Sequence, residues 1–228
     1  MTTHRVVSHD EWQKAAQAHL AREKEFTRLR DELARARREL PWEKVEKQYV
    51  FEAPDGKVSL SELFAGKSQL IVQHFMFGPD WNEGCPSCSF WTDNFNGVDV
   101  HLAQRDTAFV LVSRGPISKL EAYRKRMGWN VRWVSSLAND FNFDFGVSFK
   151  PDEQEPRYNL GTIKPYGQET PGLSAFRKED GAIYRTYSTY ARGLDVLNGA
   201  YHLLDMTSKG RDEDPDRPMS WVKRHDKY

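Results

Sequence analysis

The sequence predicts an α/β protein, a central mixed sheet flanked by helices, with a helical extension ahead of it. Two nearly unbroken apolar runs, "SQLIVQHFMF" (Ser68 to Phe77) and "DTAFVLVSR" (Asp106 to Arg114), read as strands buried on both faces. Helical stretches alternate with them. Strand, helix, strand, helix, strand in that order implies parallel pairing. Two later β-rich runs about "KEDG" supply an antiparallel hairpin, which makes the sheet mixed.

Each element has a local signal. "SHDE", Ser8 to Glu11, is a capping box that starts a helix. Trp12, Ala16, Leu20, Phe26, Leu29, Leu33, Ala36 and Leu40 keep a mostly three-or-four spacing up to Pro41. That stripe suits packing on the parent domain, or a dimer arm and hence a homodimer. "KQYVFEAPDGKVSLSELF" reads as strand, turn, strand and short helix, with Asp55 and Gly56 expected to take the positive φ values of a tight hairpin. Asn94, Asn96 and Gly97 predict a break in the helix that begins near Ser89. "PISKLEAYRKRMG" has a proline for its first turn and Gly128 past its end, and "RWVSS" is a further strand. Phe141 to Tyr166 lacks clean periodicity and reads as a long excursion covering a site. A helix through "LDVLNGAYHLLDM" and a charged tail follow; the tail is expected to be mobile apart from an anchor at Trp221. The resulting division is a helical extension over 1–45, the α/β domain over 46–206 and the tail over 207–228.

Lys+Arg and Asp+Glu number 33 each, so the whole-molecule field draws in neither nucleic acid nor anionic lipid. No apolar run approaches bilayer length and the amino terminus is polar. The expected address is the cytoplasm, with no membrane partner. In that compartment a structural disulfide is unusual.

The two cysteines, Cys85 and Cys88, are the only ones and are spaced Cys-x-x-Cys within "FGPDWNEGCPSCSFWTDN", between a strand and a helix. A helix amino terminus favours a thiolate over a thiol, so Cys85 is the expected nucleophile and Cys88 the resolving cysteine. Pro86 suits the first helical turn. The blander alternative is two small buried hydrophobes. A closed zinc site needs four ligands, and no second Cys or His cluster accompanies the pair; a Cu(I) site with one distant histidine is the remaining metal reading. His101 and His202 read as ordinary packed or surface residues. No cofactor and no metal are expected.

With the pair so placed, the chain resembles a bacterial thioredoxin-like family whose members are described as predicted dithiol-disulfide oxidoreductases. The segments that carry the resemblance are "HFMFGPDWNEGCPSCSFWTDN", "VLVSRGPISKLEAYRKRMGW", "WVSSLANDFNFDFGVSF" and "YSTYARGLDVLNGAYHLLDMTSKGR", and they extend from about Phe51 to Arg211. The resemblance implies a thioredoxin-like fold, and the opening "YVFEAPDGKVSLSELF" is similar to the hairpin that peroxiredoxin-type proteins place before that core. It further implies that "TPGLSAFRKEDG" places Pro171 opposite the dithiol as a cis-proline, with Thr170 offering its backbone to an extended substrate; the blander reading is a strand-opening proline in trans. Trp81 would then flank the substrate. Three departures stand out: Gly84 occupies the place of the tryptophan that commonly precedes the first cysteine, with Trp81 further back; the loop between strand and dithiol is longer; and Gln73 and His74 lie where thioredoxins carry a buried Asp. His74 is thus the candidate acid/base, against the alternative of a hydrogen-bonded core histidine.

Three functions follow as expectations. The first is a thiol:disulfide oxidoreductase acting on a disulfide-containing protein or a small-molecule thiol substrate, with an unidentified electron donor and a direction of electron flow set by its reduction potential. The second is a thiol peroxidase of peroxiredoxin-like type, which the setting "PDWNEGC" fits poorly. The third is a non-catalytic binding protein using Trp81, Phe90, Trp91, Trp129 and Trp133 as an apolar lining; more often such residues are core.

Overall fold

The computed structural model describes residues 4–228, and the chain divides into two compact units between Pro41 and Trp42. The first holds α1 (His9–Arg38), a helix of 30 residues none of which is buried. Its capping box forms as the sequence predicts: the Glu11 amide donates to Ser8 Oγ at 3.3 Å, and the Ser8 amide donates to the Glu11 carboxylate at 3.3 Å. Arg35, Arg37 and Arg38 in the last turn complement the helix dipole.

The second unit contains eight strands in one sheet: β1 (Glu43–Lys44), β2 (Val50–Ala53), β3 (Gly56–Ser59), β4 (Gln69–His74), β5 (Thr107–Ser113), β6 (Arg132–Ser135), β7 (Gly172–Glu179) and β8 (Ala182–Tyr190). Their order is β1-β8-β7-β4-β5-β6-β2-β3. β4 pairs parallel with β5 and β5 with β6, whereas β7 pairs antiparallel with β4 and β8. Three parallel strands followed by an antiparallel hairpin, with the cysteines directly after the central strand, make this a thioredoxin-like fold.

Helices α2 (Leu60–Leu63), α3 (Pro86–Phe95), α4 (Asp99–Ala103), α5 (Ile117–Arg126), α6 (Phe141–Asp144) and α7 (Gly199–Asp205) complete it. The break between α3 and α4 falls at Asn96 and Gly97, where Gly97 takes φ +90°. The β7–β8 turn places Asp180 and Gly181 at φ +50° and +79°, the paired positive values of a tight hairpin.

Alternation along β4 sends its side chains to two separate cores. Leu70 and Val72 join Phe51, Val134, Phe141, Phe145 and Phe176 on one face; Phe75, beyond the strand, packs with Cys88, Trp91, Leu111, Tyr123 and Trp133 on the other. Both faces are covered, which explains the unbroken apolar run.

Four local expectations change. The β2–β3 loop is Pro54–Asp55, not Asp55–Gly56, and only Gly56 has positive φ, because the proline ring fixes the first loop position near −65°. Pro116 is the N-cap of α5 and not a residue of its first turn. The helix drawn through Leu194 to Met206 is interrupted: residues Ala191–Leu197 form a 3-10 turn, and Asn198 caps α7 by accepting from the Tyr201 amide at 3.1 Å. The tail is anchored. Val222 is buried, Arg126 pairs with Asp226 at 2.6 Å, and Asp93 accepts from His225 at 2.8 Å.

Candidate dithiol site

Cys85 is the N-cap of α3, with Pro86 as the first helical residue, so no helix amide is lost to the proline. The loop after β4 delivers it there. The Cys85 amide donates to the Met76 carbonyl at 3.1 Å, and the Cys85 carbonyl accepts from the Ser89 amide at 3.0 Å and from Ser89 Oγ at 2.8 Å. Ser89 Oγ in turn meets the Tyr123 hydroxyl at 2.9 Å. The preceding Gly84 is buried where a Cβ would come within 2.7 Å of the Phe75 ring and 2.9 Å of the Tyr123 ring. That crowding is the physical reason a tryptophan does not fit at this position.

Cys85 is half-buried and Cys88 buried, both as free thiols. The Cys88 thiol donates to Cys85 sulfur, and the Cys88 and Ser87 amides with the Ser87 hydroxyl add to it; together they outweigh burial and lower the Cys85 thiol to about 7. Cys88 moves the other way, pushed up by burial and by the neighbouring sulfur. Its one opposing influence is the Met76 amide, which donates to Cys88 Sγ at 3.4 Å. One thiolate beside one thiol is the arrangement a nucleophile and a waiting partner require. The Ser87 hydroxyl and the Met76 amide are contributors that the motif by itself did not reveal.

Gln73 underlies the pair. Its Nε2 reaches the Cys88 carbonyl at 3.5 Å and its Oε1 accepts from Thr92 Oγ1 at 3.1 Å. Because Gln73 faces α3, its neighbour His74 faces the opposite core. There the imidazole lies against Phe141 and Phe145, with ring centroids 5.6 and 5.9 Å away, and Nε2 meets Ser174 Oγ at 2.9 Å. Burial lowers it to about 3, so the ring is neutral. The His74 ring therefore packs as a neutral, hydrogen-bonded histidine in the opposite core, although the residue also borders the cavity that holds the thiols.

The structure brings Pro171 to the dithiol but not in the expected isomer. No peptide bond among the described residues is cis, and Pro171 stands in trans immediately before β7, where a proline forfeits no ladder hydrogen bond. The Thr170 amide is already occupied: it donates to the Val147 carbonyl at 2.8 Å, and the hydroxyl reaches the same oxygen at 3.2 Å. Trp81 is not part of the wall of the cavity beside the thiols: its ring folds over Gly78, and Lys119 Nζ holds its carbonyl at 3.0 Å.

A cavity of about 540 Å³ opens beside the pair, lined by Cys85, Ser87, Cys88, Met76, Trp91, Phe95, Pro171, Leu173, Leu194 and Met219, with Tyr166, Arg192, Asp195, Arg211 and Glu213 also on its wall. Trp91 is thus the one member of the predicted aromatic lining that reaches it; Trp129 and Trp133 are core. The excursion supplies Tyr158, fully buried, whose hydroxyl donates to the Pro171 carbonyl at 2.6 Å and accepts from the Ala191 amide at 2.8 Å. Burial raises that phenol, which keeps its proton. Arg114 and the buried Glu169 clamp the same region at 2.9 Å, with Ser148 Oγ on the second carboxylate oxygen at 2.6 Å. These residues escaped sequence reading because the excursion has no period to follow.

The model of the family described as "Bacterial protein of unknown function (DUF899)" matches residues 1–228. The chain belongs to this family. No curated protein matches it. Among solved structures, this DUF899 member is similar to peroxidoxin BcpB from Mycobacterium tuberculosis, with 13% identity, a TM-score of 0.48, and coverage of 72% of this chain and 96% of that one. A mutant PrxQ from Xylella fastidiosa gives 12% identity, a TM-score of 0.45, and coverage of 71% and 95%. A protein from Bacteroides vulgatus described as a candidate thiol-disulfide oxidoreductase gives 13%, 0.41, and coverage of 68% and 92%. No helix among the described residues is long and apolar enough to cross a membrane.

Proposed function

We propose that the protein is a dithiol-disulfide oxidoreductase. The observation that carries this reading is the asymmetry of the pair: Cys85 at the amino end of α3 with its thiol lowered to about 7, and Cys88 buried one turn behind it and still a thiol. The Cys85 thiolate attacks one sulfur of a substrate disulfide, forming a mixed disulfide and expelling the other sulfur as a thiolate that takes a proton. Cys88 then gives up its proton and attacks Cys85 sulfur, closing the Cys85–Cys88 disulfide and releasing the second substrate thiol. Two electrons pass from the protein to the substrate. An electron donor, itself a dithiol or thiol, returns them by the reverse exchange.

Consuming the Cys85 charge removes part of what holds Cys88 protonated, and the Met76 amide is already aimed at the Cys88 sulfur. The second step is thereby prepared by the first. Gln73, unlike a buried carboxylate, takes no proton, so the Cys88 proton leaves to solvent or to the departing thiolate.

A redox titration in glutathione buffers, with thiol trapping to count reduced Cys85 and Cys88, tests this. A reversible two-electron transition in the range of dithiol enzymes supports it. Thiols that remain unreactive in the folded protein would sink it.

A further inference from the structure

We propose that the substrate disulfide is a small molecule with an uncharged, apolar body that lodges in the cavity beside the thiols, and that an extended polypeptide is excluded. This rests on the dithiol reading and adds the substrate class.

An extended segment docks by main-chain hydrogen bonds to an open backbone edge. Beside this dithiol the Thr170 amide and the Pro171 carbonyl of that edge are already taken by the protein itself. The Thr170 amide and hydroxyl both donate to Val147, and the Pro171 carbonyl accepts from Tyr158, whose oxygen also takes the Ala191 amide. Thr170 and Tyr158 are buried, so a peptide would have to displace bonds that water cannot replace. Nor is the occupying segment loose. The Phe149 amide donates to the Gln168 carbonyl at 2.9 Å, Ser148 is bound to Glu169, and Glu169 is bound to Arg114. The Arg114 guanidinium further lies 4.3 Å from the Phe143 ring centroid. The excursion sits where a substrate strand would lie and is bolted to the end of β5.

What remains open is the cavity. At about 540 Å³ it is in the range of small-ligand sites, and its wall next to the sulfurs is formed by Met76, Trp91, Leu173 and Leu194. Its arginines are spent on carboxylates: Asp195 accepts from Arg192 at 2.9 Å and from Arg211 at 3.2 Å, and Asp205 takes Arg211 at 2.8 Å. Glu213 accepts from the Tyr201 hydroxyl at 2.8 Å. An anionic substrate would therefore meet arginines already paired, beside a Glu213 carboxylate of like charge, whereas an apolar ring or chain is favoured by transfer out of water.

Two probes with the same leaving group decide the question: benzyl 2-pyridyl disulfide, and the 2-pyridyl disulfide of a cysteine within a short unstructured peptide. In each the Cys85 thiolate attacks the sulfur carrying the body and pyridine-2-thiolate departs, taking a proton to become the thione. Cys88 then closes the protein disulfide and frees phenylmethanethiol or the peptide thiol. Single-turnover thione release from the reduced protein, each rate divided by that of a free thiol with the same probe, should favour the benzyl compound by roughly tenfold or more. Leu173→Gln, which places an amide on the cavity wall, should bring that ratio toward one; a circular dichroism spectrum like that of the parent shows that the variant folds. A peptide rate equal to or above the benzyl rate in the parent protein overturns the proposal, as does a preference that survives in a folded Leu173→Gln. If neither probe releases thione, the dithiol reading itself fails and the substrate class falls with it.

Discussion

Arg224 donates through Nε and Nη2 to the carbonyl of Gly84, at 3.1 and 2.8 Å, and so holds the peptide immediately before Cys85 from a point 140 residues away in the chain. Its remaining nitrogen pairs with Glu83 at 3.0 Å, and Arg126 joins Glu83 to Asp226. The tail is thus a brace for the loop that presents the nucleophile. Arg224→Ala should lower the alkylation rate of Cys85 by about threefold to tenfold and stability by about 1–2 kcal/mol, as expected for loss of a charge-assisted hydrogen bond. Arg224→Lys should rescue only part, since an ammonium cannot supply the planar fork. Iodoacetamide trapping and urea denaturation read the two effects; alkylation unchanged in both variants would refute the bracing role.

Alkylation of the reduced protein should follow one titration centred near pH 7, at Cys85, while Cys88 stays unmodified to well above that. Ser87→Ala removes one of the donors to the Cys85 sulfur, so its midpoint should rise. Peptide mapping of the modified protein checks both. The same shift affects stability. A folded value below the unfolded one contributes stability that is present at pH above about 9 and lost as pH falls through about 7. Reduced parent protein should therefore gain on a Cys85→Ser variant between pH 7 and pH 8.5, measured by urea midpoints.

Cys85→Ser should abolish disulfide reduction. Cys88→Ser should instead accumulate a mixed disulfide at Cys85, visible by mass spectrometry as one added substrate thiol. If the two variants behave alike, the assignment of attacking and resolving roles is wrong.

Gly84→Ala should destabilise by about 1–3 kcal/mol, the usual cost of forcing a methyl group into a filled core. The new Cβ would press on Phe75 and Tyr123, whose rings sit 6.5 Å apart in the same cluster. Thermal or urea unfolding measures it, and a neutral result would mean the two rings can yield.

Tyr158→Phe leaves the Pro171 carbonyl and the Ala191 amide without their shared partner. A loss of about 1–3 kcal/mol is expected for buried groups left unsatisfied. Unfolding in urea is the check.

Much of this architecture was legible in the chain. The apolar run through β4, the capping box at Ser8, the break at Asn96 and Gly97, and the placement of Cys85 ahead of a helix all depend on residues within a few positions of one another. The sequence placed both Gln73 and His74 only near the position of a buried Asp. Which of them meets the dithiol was not implied, because that depends on the side of the sheet α3 covers, and there Gln73 won. The Pro171 isomer was inferred from likeness and proved trans, since nothing local to "ETPG" forces a cis bond.

The sequence by itself determined the order of strands and helices, the redox spacing of Cys85 and Cys88 and the electrostatic preference of the first for the thiolate, all consequences of short-range periodicity and helix-end chemistry. Only the tertiary structure decided that Val147 and Tyr158 occupy the backbone beside the dithiol, that the His74 ring packs against Phe141 and Phe145 and that the tail braces Gly84. Each of those outcomes joins groups distant in the chain, and what selects them is the need to satisfy buried polar atoms once the sheet has closed, a demand that local pattern does not encode.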